Sequence, residues 1–101
     1  MADDGTVNLH GKTYRTVALR VQLFRQIHTI DDGWSITTSI IDDTADRILI
    51  RASIVNPAAV EVASGLAEEI RGSNNINRRA ALENCETSAI GRALAAAGFG
   101  G

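Results

Sequence analysis

Arginine is the residue type in this sequence with the clearest capacity for chemistry. Nine of the ten basic residues are arginine, and the tenth is Lys12. A guanidinium presents a planar fork of donors that binds phosphate or carboxylate and stacks on nucleobases. Twelve acidic residues bring the net charge to −2, which differs from the strongly basic balance of many nucleic-acid binders. An anion site would therefore have to come from a local cluster of arginines.

Two of the arginines are expected on one face of a β-strand. The segment from Arg47 to about Val55 alternates between an apolar set and a set that contains Arg47 and Arg51. The apolar set is Ile48, Ile50, Ala52 and Ile54. Period two places both arginines on the opposite face, about 13 Å apart by strand rise. That separation matches roughly two nucleotide steps of an extended single strand. The simpler alternative is a solvated face whose charges discourage edge pairing.

A helix rich in small residues, near the end of the chain, is the second candidate surface. It is predicted from Arg78 to about Ala97, with Asn77 as its N-cap. One stripe at three- and four-residue steps contains Arg78, Ala81, Cys85, Ser88 and Arg92. Arginine at both ends of this stripe could hold a phosphate backbone against the helix. An interior glycine, Gly91, costs about 1 kcal/mol relative to alanine and indicates close approach of another element.

The remaining pattern predicts an α+β fold in which a helix, a three-stranded antiparallel β-meander and a long C-terminal helix follow in order. The C-terminal helix is expected to pack on one sheet face. Residues 1–12 are predicted to form a flexible tail, and residues 13–101 a single core domain.

Individual elements follow from periodicity and turn residues. The first helix is predicted from Thr13 to about Thr29, with an apolar stripe widened by Ile27. The first strand starts at Trp34, and residues 42–46 form a hairpin loop of about five residues. The third strand spans about residues 60–70, and its outward set is Glu61, Ala63, Gly65 and Ala67. Small residues there would admit another backbone or a ligand.

Catalytic and metal-binding patterns are not found in the sequence, so we expect no enzyme activity, no cofactor and no metal. The chain has no Walker A motif, and a lone cysteine, Cys85, excludes cysteine-clustered zinc sites. Glu83 and Glu86 share a helix face, for which an exposed surface is a simpler interpretation than nuclease carboxylates. Neither a membrane span nor a signal peptide is indicated, so a cytoplasmic location is expected.

Three segments resemble one protein family. ALENCETSAIGRALAAAGFGG at 81–101 resembles the signature helix of phage single-strand annealing proteins. These belong to a superfamily that includes the eukaryotic double-strand-break-repair annealing protein and the phage essential-recombination-function proteins. KTYRTVALRVQLFRQIH at 12–28 is similar to the opening helix of the family. The region from residue 63 to 84 fits its third strand and the loop that follows.

The resemblance implies ATP-independent binding of single-stranded DNA and annealing of complementary strands in phage homologous recombination. It implies action as a homo-oligomeric ring or filament in the bacterial host cytoplasm, with a phage exonuclease or a host single-strand-binding protein as a further partner. The residues predicted to contact DNA are Lys12, Arg47, Arg51, Arg78, Arg79 and Arg92.

One alternative from a different class stays open. It is a small oligomeric module that binds protein or a small ligand and has no role with DNA, for example a phage inhibitor of host defence. The net charge of −2 favours it. So do Gly91 and Ala95, which stand where the eukaryotic relatives carry further basic residues.

Overall fold

The computed structural model has the predicted α+β architecture. It describes residues 4–72 and 75–101, and for residues 75–79 only the backbone. The elements in order are β1 (Thr6–Leu9), β2 (Lys12–Arg15), α1 (Val17–Ile27), β3 (Ser35–Asp43), β4 (Arg47–Val55), β5 (Glu61–Ile70) and α2 (Asn75–Ala96). Strands β3, β4 and β5 form an antiparallel meander with β4 in the centre, and β1 pairs with β2 in a separate hairpin. Neither described helix is long and apolar enough to cross a membrane.

The core lies between α2 and the inner face of the meander. The predicted alternation of β4 is confirmed, since its apolar set is at most 1% exposed. The small residues of α2 cover this set: Ala81, Cys85, Ala89 and Ala93. Because these side chains are short, the helix backbone can lie close to the sheet. Helix α1 adds Phe24 to the same core. The cover of β4 by α2 confirms that the long C-terminal helix packs on one sheet face.

Strand β5 faces the opposite way from the prediction. Gly65 and Ala67 are buried against α2, whereas Leu66 is 53% exposed on the other side. A Cβ at Gly65 would lie 2.5 Å from the backbone nitrogen of Ala93. The small residues of β5 therefore admit a backbone, as expected, but on the inner face. Only Glu61 of the predicted outward set faces outward, because the register shifts between Ile54 and Val55 of β4.

The N-terminal region differs from the prediction. Part of the predicted tail, and the first residues of the predicted helix, form the β1–β2 hairpin. His10 and Gly11 join the strands with φ angles of 53° and 77°, the geometry of a tight two-residue hairpin turn. Helix α1 begins only at Val17, where the Thr16 hydroxyl accepts a hydrogen bond of 3.2 Å from the backbone N–H of Leu19.

Boundaries at two other places are shifted. Strand β3 extends to Asp43, so the β3–β4 loop has three residues rather than five. Helix α2 begins at Asn75, two residues before the predicted cap Asn77. Its end is close to the predicted one. Gly98 adopts a φ of 96°, and the Phe99 N–H donates to the Leu94 carbonyl at 2.8 Å. This is the pattern of a Schellman motif.

An aromatic cluster fixes α1 against its neighbours. The Phe24 ring lies edge-on to Trp34 and Phe99, at centroid distances of 6.0 and 5.5 Å. His28 lies 4.3 Å from Trp34. Phe24 belongs to the buried core, and Trp34 packs against it. Ile27, however, is 66% exposed and does not widen the buried stripe. The cluster connects α1 to the start of β3 and to the end of α2.

Candidate nucleic-acid interface

The outer face of the sheet, opposite the helices, carries Arg47 and Arg51 together with acidic neighbours. Arg47 contacts the carboxylates of Asp42 and Glu68 at 2.8 and 2.7 Å. Arg51 contacts the Glu61 carboxylate at 2.6 Å. These bonds raise the pKa of both arginines, and the Arg51 guanidinium lowers the pKa of Glu61. Both arginines therefore share one face, as predicted, and each is already paired with carboxylates.

The balance of charge on the outer face is unfavourable for a phosphate. Two arginines stand beside three carboxylates in these ion pairs, which leaves a local charge of −1. Exposed pairs of this kind contribute little to stability, so their main effect is on the local field. DNA binding by Arg47 and Arg51 stays a prediction, and a phosphate would have to displace their carboxylates.

A second surface, the basic groove, lies where α1 meets the second half of α2. It has a volume of about 420 Å³, and its lining residues are Val17, Arg20, Ser88, Gly91, Arg92 and Ala95. Two of the six are arginines, and none is acidic. Arg92 is exposed, and its side chain makes no hydrogen bond or ion pair with any other described residue. The groove therefore combines positive charge with an available guanidinium.

Arg20 forms the floor of the basic groove and is only 9% exposed. Its Nη1 donates to the carbonyl oxygens of Gly91 and Phe99, each at 3.2 Å. Its Nε is buried and has no hydrogen-bond partner within the described chain. Burial lowers the pKa of the Arg20 guanidinium, and the nearby positive charge of Arg15 lowers it further. No carboxylate among the described residues pairs with Arg20.

Arg15 adds a third positive charge beside the groove. It is exposed at the end of β2, and its Nη2 donates to the Gly100 carbonyl at 2.8 Å. Arg15 donates to the Gly100 carbonyl and Arg20 to the Phe99 carbonyl, and both carbonyls lie shortly after the C-terminal end of α2. Such carbonyls carry partial negative charge. This charge helps two arginines to lie close together without an acidic partner.

Gly91 explains how a guanidinium fits so close to α2. A Cβ at this position would lie 2.6 Å from Nη2 of Arg20 and 2.9 Å from a methyl group of Val17. The sequence predicted that an interior helix glycine marks the close approach of another element, and this is confirmed. The approaching element is α1.

The residues of the predicted α2 stripe do not all face the same part of the molecule. Ala81 and Cys85 face the sheet, and the Cys85 thiol donates to the Ala67 carbonyl at 3.1 Å. Burial raises the pKa of this thiol. Ser88 and Arg92 instead line the basic groove. The described part of the stripe is therefore not one ligand surface, and within it only Ser88 and Arg92 can reach an anion in the groove.

Three further residues were predicted to contact DNA. Lys12 is exposed at the start of β2. Arg78 and Arg79 belong to the first turns of α2, and their side chains lie outside the described residues. No group of three potential metal ligands occurs within residues 4–72 and 75–101. The described part of the site therefore rests on Arg92 and on two arginines that the sequence did not single out.

The sequence did carry a signal for Arg20, which was missed. Position 20 lies three residues after Val17 and four before Phe24, so it falls on the apolar stripe of α1. A charged residue there must be buried and needs partners. For Arg15 the sequence carried no such signal, because its place depends on the β1–β2 hairpin.

Comparison with known families corrects the resemblance described above. Residues 22–97 match the family described as Slr1353 N-terminal dsRNA-binding domain-like. No curated protein and no solved structure matches the chain. The assignment to phage single-strand annealing proteins is therefore wrong, although it rested on a long segment at 81–101. The match covers most of the chain, from the middle of α1 to the end of α2, and the chain belongs to the Slr1353 N-terminal dsRNA-binding domain-like family.

Proposed function

We propose that this chain binds nucleic acid through phosphates of the backbone, on the side of the molecule where α1 and α2 meet. The observation that carries the proposal is the contrast between two surfaces. The arginines of the outer face are paired with carboxylates, whereas Arg20 and Arg92 have no carboxylate partner in the described structure. The family description, which likens the domain to dsRNA-binding domains, supports a nucleic-acid ligand.

The geometry favours recognition of a duplex by shape and charge. Single-strand binders commonly stack bases on exposed aromatic side chains. Here Phe24, Trp34 and Phe99 pack in the aromatic cluster, and no aromatic residue lines the basic groove. Double-stranded RNA is recognised mostly by its shape and by contacts to phosphates and 2′-hydroxyls. Duplex RNA is therefore the ligand that we propose, bound without sequence preference because phosphate contacts carry no sequence information.

Single-stranded DNA binding and ATP-independent annealing by a homo-oligomer stay as a second, finer proposal. The spacing of Arg47 and Arg51 supports only the single-strand-binding part of it, because annealing and oligomer formation were implied by the family resemblance. Binding of either ligand requires no covalent step, so we propose no enzymatic activity. The low net charge of −2 means that attraction is local, since exposed charges are screened beyond about 8 Å at physiological ionic strength.

Fluorescence anisotropy with labelled ligands of equal length tests the proposal. Duplex RNA, duplex DNA and single-stranded DNA are compared, with Arg92→Ala and Arg51→Ala as the two variants. A charge-assisted hydrogen bond contributes about 1.5 kcal/mol at the lower end of its range, so Arg92→Ala should weaken binding about tenfold. The loss should be equal for different base sequences and should make the salt dependence shallower. Arg51→Ala should bind as wild type does.

Each other outcome has a definite meaning. Equal losses in both variants would contradict the groove and favour the outer face. Preference for single-stranded DNA, with faster duplex formation in the absence of ATP, would favour the annealing proposal over duplex RNA. Failure to bind any of the three ligands would contradict a nucleic-acid function and favour the protein- or ligand-binding module.

A further inference from the structure

We propose that Arg20 and Arg92 together hold a single phosphate group in the basic groove. The inference deepens the proposed function and rests on it for the source of the phosphate, which would be a nucleic-acid strand. Arg20 is nine-tenths buried and has no carboxylate partner among the described residues. A buried charge without a counter-ion is costly unless other groups compensate it. An anion in the groove would supply the missing charge.

The hydrogen-bonding pattern of Arg20 leaves Nη2 of its guanidinium free to bind a ligand, since no described residue accepts a hydrogen bond from it. A guanidinium has five N–H donors. Nη1 uses its donors on the carbonyl oxygens of Gly91 and Phe99. Nε has no hydrogen-bond partner in the described residues, and Nη2 has none there either. Nε is buried, so Nη2 is the donor of Arg20 that can reach a phosphate in the groove, through a charge-assisted hydrogen bond.

The opposite side of the groove offers further donors. Arg92 is exposed and unpaired within the described chain, and Ser88 contributes a hydroxyl to the lining. The volume of about 420 Å³ accommodates a phosphate with several waters, because one water occupies about 30 Å³. A carboxylate would repel a phosphate, and the described residues that line the groove include none. Arg15 strengthens the local positive field from outside the lining.

Gly91 leaves the space that the Arg20 guanidinium occupies, because it has no side chain. An added Cβ would lie 2.6 Å from Nη2 of Arg20, which is the atom expected to contact the phosphate. Any side chain at position 91 would therefore push the guanidinium away from its place in the groove. The glycine therefore admits Arg20 and leaves room for its Nη2 beside the groove.

Thermal unfolding of the full chain in inorganic phosphate tests the site. Melting temperatures are compared in phosphate and in chloride at equal pH and ionic strength. At a phosphate concentration tenfold above the dissociation constant, the melting temperature should rise by about 5–10 °C. Phosphate also stabilises proteins generally by exclusion from their surface. The readout is therefore the difference in this rise between wild type and Arg92→Ala.

The variants separate a phosphate site from a general effect. Arg92→Ala should lose most of the rise in melting temperature that phosphate causes, and Ser88→Ala should lose part of it. Arg71→Ala removes the same charge at a distant position, where Arg71 pairs with Asp43 at 2.7 Å, and it should keep the full rise relative to its own baseline. Arg20→Lys keeps the charge but lacks the Nη2 donor beside Gly91, so it should lose the rise in melting temperature. If that variant does not fold, the comparison of Arg92→Ala with Arg71→Ala still decides.

Oligonucleotides identify the source of the phosphate. Displacement of a labelled duplex by inorganic phosphate, with no preference for a 5′-phosphate, would support a backbone phosphate in the groove. A several-fold preference for 5′-phosphorylated over 5′-hydroxyl strands would support a terminal phosphate. An equal rise in wild type and Arg92→Ala would overturn the inference, while nucleic-acid binding could persist and the proposed function would stand. A phosphate-specific rise without any nucleic-acid binding would instead overturn the proposed function.

Discussion

Replacement of Gly65 by alanine should push α2 away from the sheet. The added Cβ would lie 2.5 Å from the backbone nitrogen of Ala93 and 2.6 Å from the backbone oxygen of Ala89. It would also lie 2.7 Å from Cβ of Arg92. None of these atoms is the flexible end of a side chain, so the contacts cannot be relieved by rotation. The helix or the strand must move.

The expected change in the free energy of unfolding is the sum of two opposing contributions. Overpacking of a core costs about 1–3 kcal/mol, and contact with backbone atoms places this site at the upper end. Alanine within a strand recovers about 0.5–1 kcal/mol of backbone entropy relative to glycine. The net loss in the free energy of unfolding is therefore about 2 kcal/mol. For a domain of this length, that corresponds to a fall in melting temperature of about 8–16 °C.

Thermal and urea unfolding followed by circular dichroism measure this loss. Ser64→Ala is the matched control, because Ser64 is the exposed neighbour on the same strand. Exposed substitutions of this kind usually change stability by less than about 0.5 kcal/mol. A Gly65→Ala protein that melts at the wild-type temperature would refute the close contact between α2 and β5.

Two further predictions use titratable groups. Because burial raises the pKa of the Cys85 thiol, a thiol reagent at neutral pH should react slowly with the folded protein and much faster in denaturant. Equal rates in the two states would contradict the packing of Cys85 under α2. The Arg51 guanidinium lowers the pKa of Glu61, so their pair adds stability above the usual carboxyl range, which is lost as the pH falls through the lowered pKa. Melting temperature plotted against pH should therefore fall less steeply on the acid side in Glu61→Gln than in wild type, and identical curves would rule out the pair as a source of stability.

The central part of the fold could be predicted because its apolar and polar residues alternate regularly. The alternation from Ile48 to Ile54 leaves only one face for the core. It therefore predicts the strand itself and also which of its faces packs against the helices. Strand β5 lacks that property. Its larger apolar residues, Val62 and Leu66, lie on the outer face, and Gly65 and Ala67 lie inside. The inner residues are small because a helix backbone lies against them, which alternation alone does not reveal.

The candidate site was harder to predict than the sheet. Arg92 was selected from the sequence, because it stood out in a helix of small residues. Its neighbours Arg15 and Arg20 are distant in sequence and meet Arg92 only when α1 packs on α2. Arg47 and Arg51 were placed on the correct face. Their ion pairs depend on which carboxylates of the adjacent strands lie opposite them, and the predicted facing of β5 was wrong.

The hydrogen bonds of Arg20 also have a consequence for the order of folding. They join residues that are 71 and 79 positions apart in the chain. Pairings of β3 with β4, and of β4 with β5, close much shorter loops, and shorter loops lose less entropy when they form. We therefore expect the meander and α2 to associate first and α1 to dock last. Opening should begin by the reverse step, in which α1 departs and separates Arg20 from Arg92 while the sheet stays intact.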